Sequence, residues 1–162
     1  MWQPITDTGA WDGALRQLPS PHVLQSWAWG EFKSRWGWVA ERWLLADAQG
    51  QPRAAVQLLK RSISKLPACV LYAPKGPASL DLDAHAEALA FIEQRARQHR
   101  AIWAKADGDR IPSPFRSPIP SPNSHRDVPP LPVGEGLLRA LLENRKWHYS
   151  AGQIQFRNTM LT

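Results

Sequence analysis

Cysteine is almost missing from this chain: Cys69 stands alone among 162 residues. One cysteine excludes an internal disulfide framework and a cysteine-built zinc site. It sits in the apolar run Ala68-Cys69-Val70-Leu71-Tyr72, where a small buried core side chain is the expected reading rather than a nucleophile. Long apolar stretches are also lacking, and nothing approaches the roughly 18 residues a membrane span requires. The start, Met1-Trp2-Gln3-Pro4, has neither the basic opening nor the apolar run of a signal peptide. The expectation is a soluble, cytoplasmic protein. Signatures of common chemistry are absent too. There is no Gly-x-Ser-x-Gly, no phosphate-binding glycine loop and no His-Glu-x-x-His. His22, His85, His99, His125 and His148 show no metal-ligand spacing, and each reads as a surface side chain. No metal and no cofactor is implied.

Acidic residues are in deficit. Lys+Arg 20 against Asp+Glu 14 gives a formal charge of +6, with a pI near 10.0. That balance suits an anionic partner, whether nucleic acid, a phosphate-bearing metabolite or a membrane surface, or else a merely basic exterior. The charges are scattered without a long run, which argues against a nucleic-acid arm. No recognised RNA-binding motif accompanies them. Hydrophobic content of 43% and charged content of 21% are globular values, and the length is that of one domain with a real core.

Tryptophan is what the chain has in excess, nine residues in all. Four of them fall in Gln25-Ser26-Trp27-Ala28-Trp29-Gly30-Glu31-Phe32-Lys33-Ser34-Arg35-Trp36-Gly37-Trp38. Ser26 is a good helix N-cap, and Gly37 suits a left-handed C-terminal stop. Between them Trp29, Phe32, Lys33 and Trp36 share one helical face. The aromatic residues read as packing, and Lys33 is the oddity among them. Its stem can lie along the rings while the ammonium reaches a pocket or water.

The remaining chain reads as an α/β order. Residues 9–18 form a short helix through Trp11, Leu15 and Leu18, ended by Pro19 and Pro21. Residues 38–46 and 53–61 form two strands about the turn Ala48-Gln49-Gly50-Gln51-Pro52. Residues 68–72 are a buried strand. Pro74-Lys75-Gly76-Pro77 breaks it, Asp81 and Asp83 open a helix over 82–99, and residues 101–106 are a fourth strand. Helix, helix, three strands, helix, strand suggests a mixed sheet flanked by helices. Residues 108–135 hold more than half of the fifteen prolines, several in Ser-Pro units, and read as an extended inserted loop. A helix over 137–146 and a strand over 153–161 are expected to follow.

Two polar residues stand out in loops. Asp107 lies just past a strand, where α/β sheets place functional groups, though it also suits a plain turn before Gly108. Lys75 could meet an anion beside loop amides, or could be a solvated turn residue.

Four segments, in order, resemble one family. Gln25-Ser26-Trp27-x-Trp29-Gly30-x-x-Lys33 with Gly37-Trp38 resembles the "QSxxWGxxK…GW" segment of the Fem-type peptidoglycan aminoacyltransferases. Tyr72-Ala73-Pro74-Lys75-Gly76-Pro77 looks like its "YxPRGP" turn. Trp103-Ala104-Lys105-Ala106-Asp107 is similar to its "(F/L)xRxDP" strand end, and Ser150 to Thr159 to its "SxxQIQPRNT" strand. The resemblance implies a GNAT-like (acyl-CoA N-acyltransferase) domain over residues 1–162. It implies transfer of an amino acid from aminoacyl-tRNA to the stem peptide of a UDP- or lipid-linked muramyl peptide precursor, in interpeptide-bridge synthesis. The family's first domain mainly holds the precursor, and its motif lysine, here Lys33, contacts the diphosphate. Trp29 and Lys75 fall in the same substrate-binding motifs, and Asp107 matches a strand-end aspartate regarded as a candidate base. Departures are Lys75 for Arg, Gly108 for Pro and Phe156 for Pro. The family pattern continues into a second domain, so this chain is expected to cover the first half, truncated or completed by another chain. A catalytically inactive remnant or binding domain on the same fold is the alternative.

Overall fold

A long antiparallel hairpin forms the middle of the sheet. In the computed structural model, which describes residues 1–19, 21–107 and 133–148, strands β2 (Val39–Ala46) and β3 (Pro52–Ser62) pair from Val39↔Lys60 to Ala46↔Pro52. Asp47 sets the turn, its Oδ1 accepting the backbone N–H of Gln49 and Gln51. β1 (Trp2–Pro4) adds to the outer edge of β2, and β4 (Cys69–Ala73) to the other side of β3. The short β5 (Ala78–Ser79) also pairs with β3. β6 (Ala101–Ala106) lies parallel to β4. The order is β1-β2-β3-β4-β6, a mixed sheet. A parallel neighbour requires a crossover, and α3 (Leu82–Gln98) supplies it.

Register sorts the side chains between two faces. Arg42↔Gln57 and Leu44↔Ala55 point to one face, Trp43↔Val56 and Leu45↔Ala54 to the other. The first face packs α1 (Thr8–Gln17), capped by Asp7 through its contact with the Ala10 N–H at 2.7 Å. Trp11, Ala14, Leu15 and Leu18 meet Leu44, Ala55 and Ala78 there. The second face packs α3, where Ala84 and Ala88 lie against Leu45 and Ala54. Phe91 stacks on Trp2, ring centroids 4.4 Å apart, and meets Trp43 at a tilt. Asp81 caps α3 through the Ala84 N–H at 2.7 Å.

These elements match the expected mixed α/β layering, with boundaries within one or two residues. β1 and β5 were not anticipated, being three and two residues long. His85 corrects the expectation of surface histidines: it is buried in the first turn of α3, its Nδ1 2.9 Å from Ser79 Oγ. Cys69 is buried, as its apolar setting implied.

Residues 117–162 form a unit separate from residues 1–116. Within it α4 (Val133–Asn144) has Leu138, Leu141 and Leu142 half-buried. It begins inside the stretch assigned to the proline-rich loop, so residues 133–135 are helical. The Trp147 N–H bonds Leu142 O, the Lys146 N–H bonds Glu143 O, and Lys146 takes a left-handed φ of 60°. That is a Schellman stop built without glycine. The rest of the proline-rich loop and the expected strand over 153–161 lie outside the described residues.

Candidate functional site

Helix α2 (Trp27–Ser34) presents the aromatic stripe, and a buried polar network seats it. Gln25 and Gln57 are fully buried. Gln25 Oε1 accepts the Gln57 N–H at 2.8 Å, and its Nε2 donates to Pro74 O at 2.7 Å. The Gln57 side-chain amide donates to Leu24 O and Ser26 O. Arg42 Nε donates to Gln57 Oε1 at 2.9 Å, while Arg42 Nη2 bridges Trp27 O and Glu31 Oε1 at 3.1 and 3.0 Å. The Arg42 guanidinium also lies 3.6 Å from the Trp27 ring centroid. Burial draws Arg42 below its ordinary pKa, against the opposing pull of Glu31 and Asp12. Every buried polar group here has a partner, which makes such a network rigid rather than costly. Gly30 permits it: a Cβ there would stand 2.3 Å from Arg42 Nη2 and 2.4 Å from Gln57 Oε1.

Ser26 Oγ accepts the Trp29 N–H at 3.3 Å and caps the helix, as its position implied. Gly37, at φ 80°, closes it: the Trp38 N–H reaches Lys33 O, and the Gly37 N–H reaches Ser34 O. This stop folds Trp38 back beside Lys33. The Lys33 ammonium lies 5.7 Å from the Trp29 ring centroid and 5.6 Å from that of Trp38. The Arg61 guanidinium lies 5.7 Å from Trp38 as well. Two cations therefore share one indole, and neither has a carboxylate partner among the described residues. Trp29 adds an indole N–H that is buried with no acceptor among the described residues. Phe32 and Trp36 do not close over Lys33: they continue the aromatic row and are exposed.

The second part of the site lies where the parallel strands β4 and β6 end. Tyr72 is 6.5 Å from Trp38, ring to ring. Its hydroxyl donates to Asp107 Oδ2 at 2.7 Å, and the Lys75 backbone N–H donates to Asp107 Oδ1 at 2.6 Å. Asp107 thus ties the 74–77 turn to the end of β6. Burial first, then the hydrogen bond and charge of Asp107, push the Tyr72 phenol well above its usual pKa, so it stays a donor. Lys75 sits in a left-handed conformation, φ 51°, and Gly76 presses on the Gln25 amide, where a Cβ would come within 2.6 Å. Lys33, Trp29, Asp107 and Lys75, singled out from sequence, thus fall on two linked clusters joined through Trp38 and Tyr72. Trp38, Arg61 and Tyr72 were missed as site residues. Trp38 and Tyr72 stood inside the quoted motifs, and Arg61 carried no signal beyond a basic strand end.

No protein-family profile matches the chain, and no curated protein matches it. Solved structures do. FemX aligns with a TM-score of 0.57 at 26% identity, over 66% of this chain and 27% of FemX. A probable acetyltransferase aligns at 0.54 and 12% identity, over 100% of this chain and 97% of its own. An aminoglycoside 6'-N-acetyltransferase from Acinetobacter haemolyticus aligns at 0.51 and 11%, over 99% of both chains. The last two show the fold, and the first adds likeness in sequence to likeness in fold. The chain has the GNAT fold and resembles FemX over 66% of its length. It spans about a quarter of FemX, at 27%.

The Fem-like motif positions divide by physical task. Gln25, Gly30 and Gly76 are positions where the backbone or a buried amide makes a close approach. Ser26 and Gly37 start and stop the helix. Lys33 and Tyr72 each lie against Trp38. No described helix is long and apolar enough to cross a membrane.

Proposed function

We propose that this chain is the precursor-binding part of a Fem-like aminoacyltransferase. Its ligand is a UDP- or lipid-linked muramyl peptide, and its co-substrate is aminoacyl-tRNA. In the transfer, the amine of the stem peptide attacks the ester carbonyl of the aminoacyl-tRNA. The ester bond breaks, the tRNA hydroxyl leaves, and the ammonium proton passes to a base. The single observation carrying the reading is the Lys33 ammonium between Trp29 and Trp38, with Arg61 on the same indole and no carboxylate paired with either among the described residues. Two unneutralised cations on one aromatic wall favour a multiply charged anion, and a diphosphate is one. Lys75 extends the site at the far turn.

One observation favours the non-catalytic alternative for this part of the protein. Each Asp107 oxygen already accepts a hydrogen bond, from Tyr72 and from Lys75. That arrangement positions a turn, and Asp107 as base must work through its remaining lone pairs. The two readings separate on transfer from charged tRNA, which a binding domain does not support.

The test of the site is a titration with UDP-linked muramyl pentapeptide, wild type against Lys33→Ala. Loss of a charge-assisted contact weakens binding by about 1.5–3 kcal/mol. Equal affinity of the two proteins removes Lys33 from the site.

A further inference from the structure

One end of the sheet gathers exposed apolar side chains that the anion site leaves unused. The start of β2, the end of β3, the β3–β4 turn and the starts of β4 and β6 meet there, since Val39 pairs with Lys60, Ser62 with Cys69, and Cys69 with Ala101. The C-terminus of α2 runs into the same end through Gly37. Trp36 is 65% exposed, Leu66 59%, Val39 55% and Phe32 46%. Leu66 stands at the tip of a tight turn held by Ile63 N–H to Ala68 O and Leu66 N–H to Ile63 O. It is an aliphatic side chain presented outward on a constrained loop.

The charge on the three segments that form this end has one sign, with Glu31 and Glu41 the nearest acids, paired to Arg42 and to Lys60, Arg95 and His99. Segments 34–39, 60–69 and 97–103 contain Arg35, Lys60, Arg61, Lys65, Arg97 and Arg100, and no aspartate or glutamate. Lys60 is turned inward to Glu41 at 3.7 Å. Arg35, Arg61, Lys65, Arg97 and Arg100 are exposed. Exposed tryptophan, phenylalanine and leucine ringed by cations is the composition of a surface lying in a lipid headgroup layer. A single-stranded RNA is the competing occupant, because aromatic rings and cations suit bases and phosphates too. Leu66 and Val39 decide between them: an aliphatic side chain gains from hydrocarbon and offers a base no stacking face.

We propose that this end of the sheet docks on a membrane surface rich in anionic phospholipid, with Trp36 and Leu66 entering the interface and Arg35, Lys65 and Arg100 meeting the headgroups. The face carrying Lys33 then stands beside the bilayer, where a lipid-linked diphosphate would be presented; that last step rests on the function proposed above, whereas the docking itself does not.

The experiment is co-sedimentation of the full chain with phosphatidylcholine vesicles, with and without phosphatidylglycerol, in the absence of any precursor. The wild type is expected to sediment with the anionic vesicles, to be released by salt, and to remain in solution with phosphatidylcholine alone. Trp36→Ser with Leu66→Ser is expected to lower partitioning at least about tenfold. Arg35→Gln with Lys65→Gln is expected to lower it by roughly twenty-five-fold, about fivefold for each charge near the surface. All four positions are exposed, so thermal melts should match the wild type, and affinity for the soluble UDP-linked precursor should be kept. A wild type that stays in solution with anionic vesicles overturns the proposal, as does partitioning unchanged in the Trp36/Leu66 variant. So does a chain that ignores vesicles but binds a single-stranded RNA through the same residues. Failure of the precursor titration leaves the vesicle result standing, so the two readings are separable.

Discussion

Replacing glycine by alanine inside an exposed helix ordinarily stabilises it, by about 0.5–1 kcal/mol. Gly30 is expected to do the opposite. The new Cβ would stand 2.3 Å from Arg42 Nη2, 2.4 Å from Gln57 Oε1 and 3.0 Å from Ala40 Cβ. The helix cannot tilt away without releasing Trp27 O and Glu31 from the same Arg42 nitrogen. If Arg42 moves instead, Gln57 Oε1 loses its donor at 2.9 Å. Overpacking costs about 1–3 kcal/mol, and a lost hydrogen bond to a charged group about 1.5–3 kcal/mol. Set against the helix gain, Gly30→Ala should destabilise by roughly 2–4 kcal/mol. The assay is urea unfolding, with a lower midpoint and an unchanged slope. A melting point lowered by roughly 5–15 °C should accompany it. Gly13 in α1 is the control, since an added Cβ meets nothing within 4 Å. Gly13→Ala should stabilise by about 0.5–1 kcal/mol. A Gly30→Ala protein as stable as the wild type would refute the close-packed seat of α2.

Three further outcomes follow from the same contacts. Gln25→Ala leaves Pro74 O and the Gln57 N–H unsatisfied in the interior, and should cost roughly 2–4 kcal/mol in denaturant unfolding; a loss under about 1 kcal/mol would mean the amide is not holding the turn. Burial lowers the His85 pKa from 6.5 to about 4, so the folded state resists a proton that the unfolded chain accepts. Stability is then full above pH 6.5 and falls as pH drops towards 4, by about 3 kcal/mol in all. His85→Gln should flatten this slope between those values, and a slope unchanged in the variant assigns it to other groups. In Asp107→Asn the negative charge beside Tyr72 is gone. Phenolate absorbance should then rise at lower pH than in the wild type, and an unshifted titration would show that Asp107 does not hold the phenol.

The sheet was legible because its signals are local. Branched and aromatic residues in 38–46, the turn before the second strand at 53–61 and an acidic-to-basic α3 are visible without tertiary information. The role of the aromatic stripe was not. At 100° per residue, Ser34 and Trp27 lie near the azimuth of Gly30, while Trp29, Phe32 and Trp36 lie a quarter-turn or more away. The docking face of α2 is therefore the side of Gly30, where Trp27 packs on the core, and the apolar periodicity of Trp29, Phe32 and Trp36 pointed to another. His85 escaped for a related reason: a single histidine on a helix gives no sign of the Ser79 hydroxyl that β5 brings to it. Arg61 and Lys33 are remote in sequence and meet only through the register that sets Trp38 beside the end of β3.

The two kinds of position in the Fem-like motif explain each other. A helix of eight residues is too short to hold a functional side chain in place by its own hydrogen bonds. Precision at Lys33 must come from the sheet, and the Gln25–Gln57–Arg42 network supplies it through three separate elements. Docking through Gly30, the buried amides and Trp27 leaves the other aromatic residues of this segment free of the core. Some of them, Trp29 and Trp38, then wall the cation. Others, Phe32 and Trp36, reach the surface. An apolar seat for α2 would have buried those rings and left Lys33 without its aromatic wall. The polar seat is thus the condition for both the anion site and the exposed aromatic edge beside it.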